Sequence, residues 1–273
     1  MTLYGGQGDP ARTMALLWRA HSPEAAAEQA TAGRAGRTAP GPKQGLTVDT
    51  IIEAAIRLAD TVGMERLSMR AVGERLGTSA MALYTYVPSK RELVDLMYDQ
   101  AHAGLPDAYR VDGGIRPAVL AWADDLWDCY LRHPWLLQVS YARPVLGPHE
   151  QAVLESLLAV LHAADLPPRK LRPTVSALFH LVRGAAQTAA EGRAAASATG
   201  TSDQQWWTER SALLARLAPD FAQRFPRSTA LAGSSSTTHY DPVRQAKDAL
   251  DGGLHLLLDG LLPAEDGAGT GAA

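Results

Sequence analysis

A single cysteine, Cys129, stands in 273 residues, so the chain cannot build an intrachain disulfide framework or a multi-cysteine zinc site. That thiol lies in an apolar helical stretch beside Trp127 and Leu131, which predicts a buried, inert group. A reducing, cytoplasmic setting is the simplest reading. Aromatic residues are scarce at 6%, and no unbroken run of about 18 apolar residues is present to span a membrane. The start lacks a basic stretch followed by a long apolar one, so no secretory leader is expected. Charge of one sign is not in excess: a net charge of −3 means that any affinity for nucleic acid must rest on local charge. There is no G-x-S-x-G elbow, Walker loop or dinucleotide fingerprint. The eight histidines form no H-E-x-x-H and no close set with carboxylates. These absences argue against the commonest enzymes and give no reason to expect a cofactor or a metal. Asp124, Asp125 and Asp128 read as a solvated helix face.

What is present is the composition of a globular protein, 46% hydrophobic and 20% charged, in a chain long enough for a sizeable core. Apolar residues recur at helical spacing, without strand alternation or internal repeats. The predicted fold class is therefore all-α, with an N-terminal helix-turn-helix head and a larger helical body. Residues 1–45 are rich in Gly, Ala, Pro and Thr and are expected to be a disordered arm, with room for one short helix from Ser22 to Ala30. Arg34, Arg37 and Lys43 could let this arm meet DNA; a plain leader is the alternative. The head is assigned to residues 46–104, the larger helical body to 111–262, and a disordered tail to 263–273.

The head carries the sharpest local signals. Thr47 is an N-cap candidate for a helix bearing Ile51, Ala55, Leu58 and Val62 and stopped by Gly63. A second helix runs from Ser68 to Gly77, a third from Ser79 to Val87, and Ser89-Lys90-Arg91-Glu92 forms a capping box that opens a fourth. Two helices that cross closely need a small residue at their contact and favour glycine in the turn, and Gly73 and Gly77 fill these places. Leu76 and Leu83 then face inward. Thr78, Ser79, Ala80, Met81, Tyr84 and Tyr86 are left to face a groove, joined by Thr47 as a DNA-facing candidate. No acid lies between Glu74 and Glu92, whereas Arg75, Lys90 and Arg91 are present.

The stretch from Leu67 to Lys90, LSMRAVGERLGTSAMALYTYVPSK, resembles the DNA-binding head of the tetracycline-repressor (TetR) family. The leucine-tyrosine pair and the lysine opening the next helix stand at fixed distances from the turn glycine. The resemblance implies that Tyr84 and Lys90 hold phosphates and that Arg70 reaches a base or phosphate. It also implies that Ala80, Met81 and Tyr86 set sequence preference. Ala80 and Met81 are apolar, which fits contact with a thymine methyl better than a bidentate hydrogen bond.

In the body, helical periodicity covers about 115–132, 148–164, 168–191, 202–217 and 242–262. The last helix bears an apolar stripe that includes Leu250, Gly253, Leu254, Leu257 and Leu261, and the helix from Pro168 bears Leu178, Val182 and Ala186. The resemblance implies that two such helices from each subunit form a four-helix homodimer interface; the alternative is that the stripes fill the subunit's own core. Large side chains between head and dimer helices, Trp122, Leu126, Trp127, Tyr130, Trp135, Leu158, Phe179, His180 and Arg183, are candidates to line an apolar effector cavity. Trp206 and Trp207 are candidates to cap it or to cover a partner surface. The function expected is a DNA-binding regulator, a repressor released from a palindromic double-stranded operator by a small, largely apolar effector. An activator, an effector-independent regulator, or an all-helical enzyme or carrier are the alternatives.

Overall fold

Helix starts follow local capping chemistry. In the computed structural model, which describes residues 3–21, 45–233 and 240–262, Asp9 caps α1 (Pro10–Leu17), accepting the Arg12 N–H at 2.8 Å. Thr47 caps α2 (Val48–Val62) in a reciprocal arrangement with Thr50, and Gly63 ends it at φ 79°. Ser68 and Ser79 cap the short α3 (Met69–Leu76) and α4 (Ala80–Tyr84), and Ser89 opens α5 (Lys90–Ala101). Then come α6 (Ile115–Arg132), a 3₁₀ turn at Pro134–Gln138, α7 (Pro148–Ala163) and the long α8 (Pro168–Thr199). The chain continues through α9 (Asp203–Leu217), α10 (Phe221–Arg224), α11 (Pro226–Gly233) and α12 (Pro242–Leu261). Among the described residues, β structure is limited to one isolated bridge between Leu3 and Val139.

Two compact units emerge, Met1–Phe179 and His180–Ala273, with α8 contributing to both. In the first unit, α2 packs against α3 and α5, and α3 against α4, around buried Ile51, Ile52, Val72, Leu83, Val87, Leu93 and Met97. The head does not stand apart from the first body helices. Asp60 of α2 accepts the Trp135 indole N–H at 2.8 Å and lies 2.8 Å from His133 Nδ1, and α5 packs on α7.

Three expectations change. Residues 3–21 are ordered rather than part of a disordered arm. The Gly6 N–H reaches both Asp95 oxygens at 3.1 Å, the Asp9 N–H reaches Glu92 at 3.3 Å, and the Trp18 indole donates to the Leu146 carbonyl at 3.0 Å. The physical reason is tertiary: a Gly-rich segment that cannot order itself supplies backbone donors to carboxylates that would otherwise be buried unsatisfied. The proposed helix at Ser22–Ala30, the basic Arg34, Arg37 and Lys43, and the tail 263–273 lie outside the described residues. Second, the helix expected over about 168–191 runs on to Thr199, because Ala194, Ala195, Ala196 and Ala198 favour helix and the break waits for Gly200 at φ 71°. Third, the capping box at Ser89 is half realised. The Ser89 hydroxyl accepts the Arg91 N–H at 3.0 Å, but the Glu92 carboxylate turns to the Ser89 hydroxyl and the Asp9 backbone.

Candidate nucleic-acid interface and cavity

The turn between α3 and α4 is held by glycine for steric reasons. A Cβ on Gly73 would sit 2.8 Å from the Thr78 carbonyl oxygen and 3.3 Å from the Ala80 nitrogen, so no larger residue fits without moving backbone. Gly77 adopts the left-handed conformation at φ 68°. This close crossing, backed by buried Val72 and Leu83, leaves large side chains in solvent: Met81 is 75% exposed, Tyr84 40% and Tyr86 39%. Ser79 is exposed, and Thr78 and Ala80 are half-buried. Arg70 forms an exposed ion pair with Glu74 at 2.8 Å. Lys90 is half-buried, with Nζ 3.5 Å from the Met64 carbonyl. The Thr47 hydroxyl is engaged in its own helix cap.

Lys90 opens α5, and the other end of that helix faces a different environment. Over 12 residues, roughly 18 Å of helix, α5 passes from the recognition turn to Tyr98 and His102 in the interior. Three of its carboxylates are buried: Glu92, Asp95 and Asp99. Burial works against ionisation of Glu92, but hydrogen bonds from the Ser89 hydroxyl and the Asp9 backbone, with Arg12 nearby, hold its carboxyl below the ordinary value. For Asp95, burial prevails over the Gly6 hydrogen bond and pushes its pKa up to about 6. Asp99 is also raised by burial, although it accepts the His149 and Glu150 N–H groups at 2.9 Å.

Tyr98 and His102 form one wall of a cavity of about 510 Å³. Tyr130 of α6 and Tyr141 and Pro144 of the following loop form another. The rest comes from α7 through Glu150, Gln151, Val153, Leu154 and Leu158, and from α8 through Pro168, Leu171, Arg172, Val175, Ser176 and Phe179. Of the side chains expected to line a cavity, Tyr130, Leu158 and Phe179 do so. Trp122, Leu126, Trp127 and Trp135 are instead packed core. Trp122 donates to the Val153 carbonyl at 3.2 Å with its ring edge-on to Phe179, and Trp135 spends its indole N–H on Asp60. His180 and Arg183 belong to the second unit, where His180 borders a separate groove. The sequence reading missed Tyr98, His102, Tyr141, Glu150 and Arg172. The signal was available in the helical spacing of Glu150, Leu154 and Leu158 and of Arg172, Val175, Ser176 and Phe179.

In the second unit, a Cβ on Gly253 would lie 3.2 Å from the Leu181 methyls, so α12 lies close against α8. Val182, Ala186, Leu250 and Leu254 are fully buried within the single chain, as is Leu178. These five residues of the stripes expected at a subunit seam are therefore covered by the chain itself, because apolar period alone does not distinguish an internal neighbour from a second copy. Gly253, Leu257 and Leu261 are half-buried. Leu256 points away at 76% exposure. Helices α9, α10 and α11 bury none of their residues; Trp206 and Trp207 are exposed there, with the Trp207 ring 5.0 Å from that of Tyr240.

Among the described residues, no helix is long and apolar enough to cross a membrane. Residues 51–97 match the family of bacterial regulatory proteins, tetR family, and residues 109–264 match the tetracyclin repressor-like C-terminal domain. The HTH-type transcriptional repressor DrrR1 of Streptomyces coeruleorubidus is 35% identical over 257 residues, covering 94% of this chain and 87% of that protein. A solved TetR transcriptional regulator from Streptomyces coelicolor superposes with a TM-score of 0.59 at 29% identity, over 79% of this chain and 97% of that one. The TetR family protein ActR of the same organism, solved with (S)-DNPA, shares the fold at a TM-score of 0.63 and 24% identity, over 80% of this chain and 100% of that one. With its capped helix-turn-helix and its all-helical body, the chain belongs to the tetR family of bacterial regulatory proteins and is a DNA-binding transcriptional regulator of the repressor type.

Proposed function

We propose that this regulator is a homodimer that leaves a palindromic operator when a small, largely apolar effector fills the cavity of the first unit. The observation that carries this reading is α5. Its first turn bears Lys90 beside the recognition turn, and its last turn lines the cavity through Tyr98 and His102. A ligand that displaces Tyr98 or His102 acts on the helix that supports the reading head. Two heads must meet successive major grooves about 34–36 Å apart, so a small change in head position is enough to weaken binding.

On the DNA side, the exposed Met81 and Tyr86, with Ala80, set sequence preference; Tyr84 and Lys90 hold phosphates. Arg70 exchanges Glu74 for a base or phosphate, and Thr47, Thr78 and Ser79 complete the contact surface. Residues 46–104 act as the head and 111–262 as the regulatory and dimerisation body. Support for the dimer comes from surface that a single chain leaves uncovered: Leu256 on α12, and Trp206, Trp207, Leu213, Leu214 and Leu217 on α9. Apolar exposure on this scale marks an interaction surface.

Selection of bound sequences from a random DNA pool tests the reading. A palindromic consensus is expected, with affinity falling steeply as salt rises. Lys90→Ala should weaken all sequences alike and flatten the salt slope by about one. Enrichment of no sequence, or of an asymmetric one read by a monomer, would contradict the proposal.

A further inference from the structure

The cavity walls are largely aromatic and aliphatic, yet Glu150 is set into them. Its carboxylate accepts the Leu146 N–H at 2.6 Å, and its remaining protein donor is the Val145 backbone. Among the described residues, no arginine, lysine or histidine forms an ion pair with it. Burial, and then the neighbouring Asp99 and Asp95, raise its pKa to about 7. The cations nearby are directed elsewhere: Arg19 and His149 act on Asp99, and Arg12 on Glu92. His102 lines the cavity but places Nδ1 2.7 Å from the Tyr98 carbonyl, and Arg172 lines it from an exposed position on α8. A half-buried carboxylate in a largely apolar wall, with like charges near it and no counter-ion among the described residues, is costly, and a ligand cation would reduce that cost. Tyr98, Tyr130, Tyr141 and Phe179 line the same cavity, with Tyr141 and Phe179 stacked at 5.8 Å, and aromatic rings attract the same charge.

From this arrangement we infer that the cavity takes a flat aromatic molecule carrying a protonated amine, with the ammonium on Glu150 and the rings among the tyrosines. The inference rests on the reading of the cavity as the effector site. It assigns Glu150 a role in choosing the effector's charge, and leaves the apolar walls to bind its body.

The test is a fluorescence titration of the full-length protein, without DNA and at a pH of about 8, with three probes of similar shape: 9-aminoacridine as cation, acridine as neutral isostere and anthracene-9-carboxylate as anion. The cation should bind about tenfold tighter than acridine. Glu150→Gln should erase that preference while acridine binding persists, and Leu158→Trp, which fills the cavity, should reduce both. Should Glu150→Gln fail to fold, as judged by circular dichroism, the ranking of the three probes on the wild-type chain decides. Equal binding of cation and neutral probe, or tightest binding of the anion through Arg172, overturns the inference and leaves the effector site standing. Binding of none of the probes, or binding untouched by Leu158→Trp, overturns the effector-site reading as well.

Discussion

The recognition turn and the cavity of the first unit use their side chains in opposite directions. Around the recognition turn, Gly73 lets two helices touch, so Met81, Tyr84 and Tyr86 are pushed into solvent. Around the cavity, the chain turns polar chemistry inward: Asp95 and Asp99 are satisfied by backbone N–H groups from distant segments, and Glu150 by the nearby Leu146 N–H. An outward-facing site needs only a rigid local scaffold. An inward-facing one needs several segments to arrive together, and α5 belongs to both.

The contrast can be broken first where burial is deepest. Leu254→Glu places an unpaired charge in the packed interior of the second unit and should unfold it, whereas Leu256→Glu, on the exposed face of the same helix, should leave a folded chain that sediments as a monomer. A folded, dimeric Leu254→Glu protein would show that this face is not internal. Next in size is Gly73→Ala, whose added methyl meets the Thr78 carbonyl. It should cost the head about 1–3 kcal/mol and abolish operator binding in gel shifts, with the far-UV spectrum of the body retained. Unchanged DNA affinity would mean that the close crossing is not what presents α4.

The smallest effect is on pH dependence. Asp95 and Glu150 titrate at about 6 and about 7 in the folded chain, above their ordinary 3.8 and 4.5. Between these values the folded chain keeps protons that the unfolded chain has released, so stability should fall as pH rises from about 4.5 to about 7. Thermal melts of the wild type and Glu150→Gln across that window isolate the effect, because other titrating groups are common to both. The variant should show the shallower decline. A steeper one would mean that Glu150 is paired rather than isolated.

The head was legible because its determinants are local. Ser68, Ser79 and Ser89 each cap the helix expected of them, and Gly77 stops α3 by its own backbone conformation. The body's helices were legible for the same reason, with Pro148, Pro168 and Pro242 marking starts. What escaped depends on approach from afar. The donor that satisfies Asp95 lies 89 residues away, and the acceptor for the Trp18 indole lies 128 residues away. The tryptophans looked like cavity residues because size suggests a ligand wall, but Trp122 and Trp135 find hydrogen-bond partners within the fold and pack as core. The apolar stripes of α8 and α12 were correct as stripes. Which neighbour covers them is a property of the tertiary arrangement.

The claim that α5 ties an outward reading surface to an inward cavity is tested most directly by filling the cavity without any ligand. Leu158→Trp puts a large side chain into the space bordered by Tyr98 and Tyr130, and its affinity for the operator recovered from random-pool selection is compared with that of the wild type at one salt concentration. A coupling of about 1–3 kcal/mol predicts a loss of roughly 5–150-fold with folding and dimerisation intact. Equal affinities for a variant whose cavity no longer accepts the acridine probes would contradict the account.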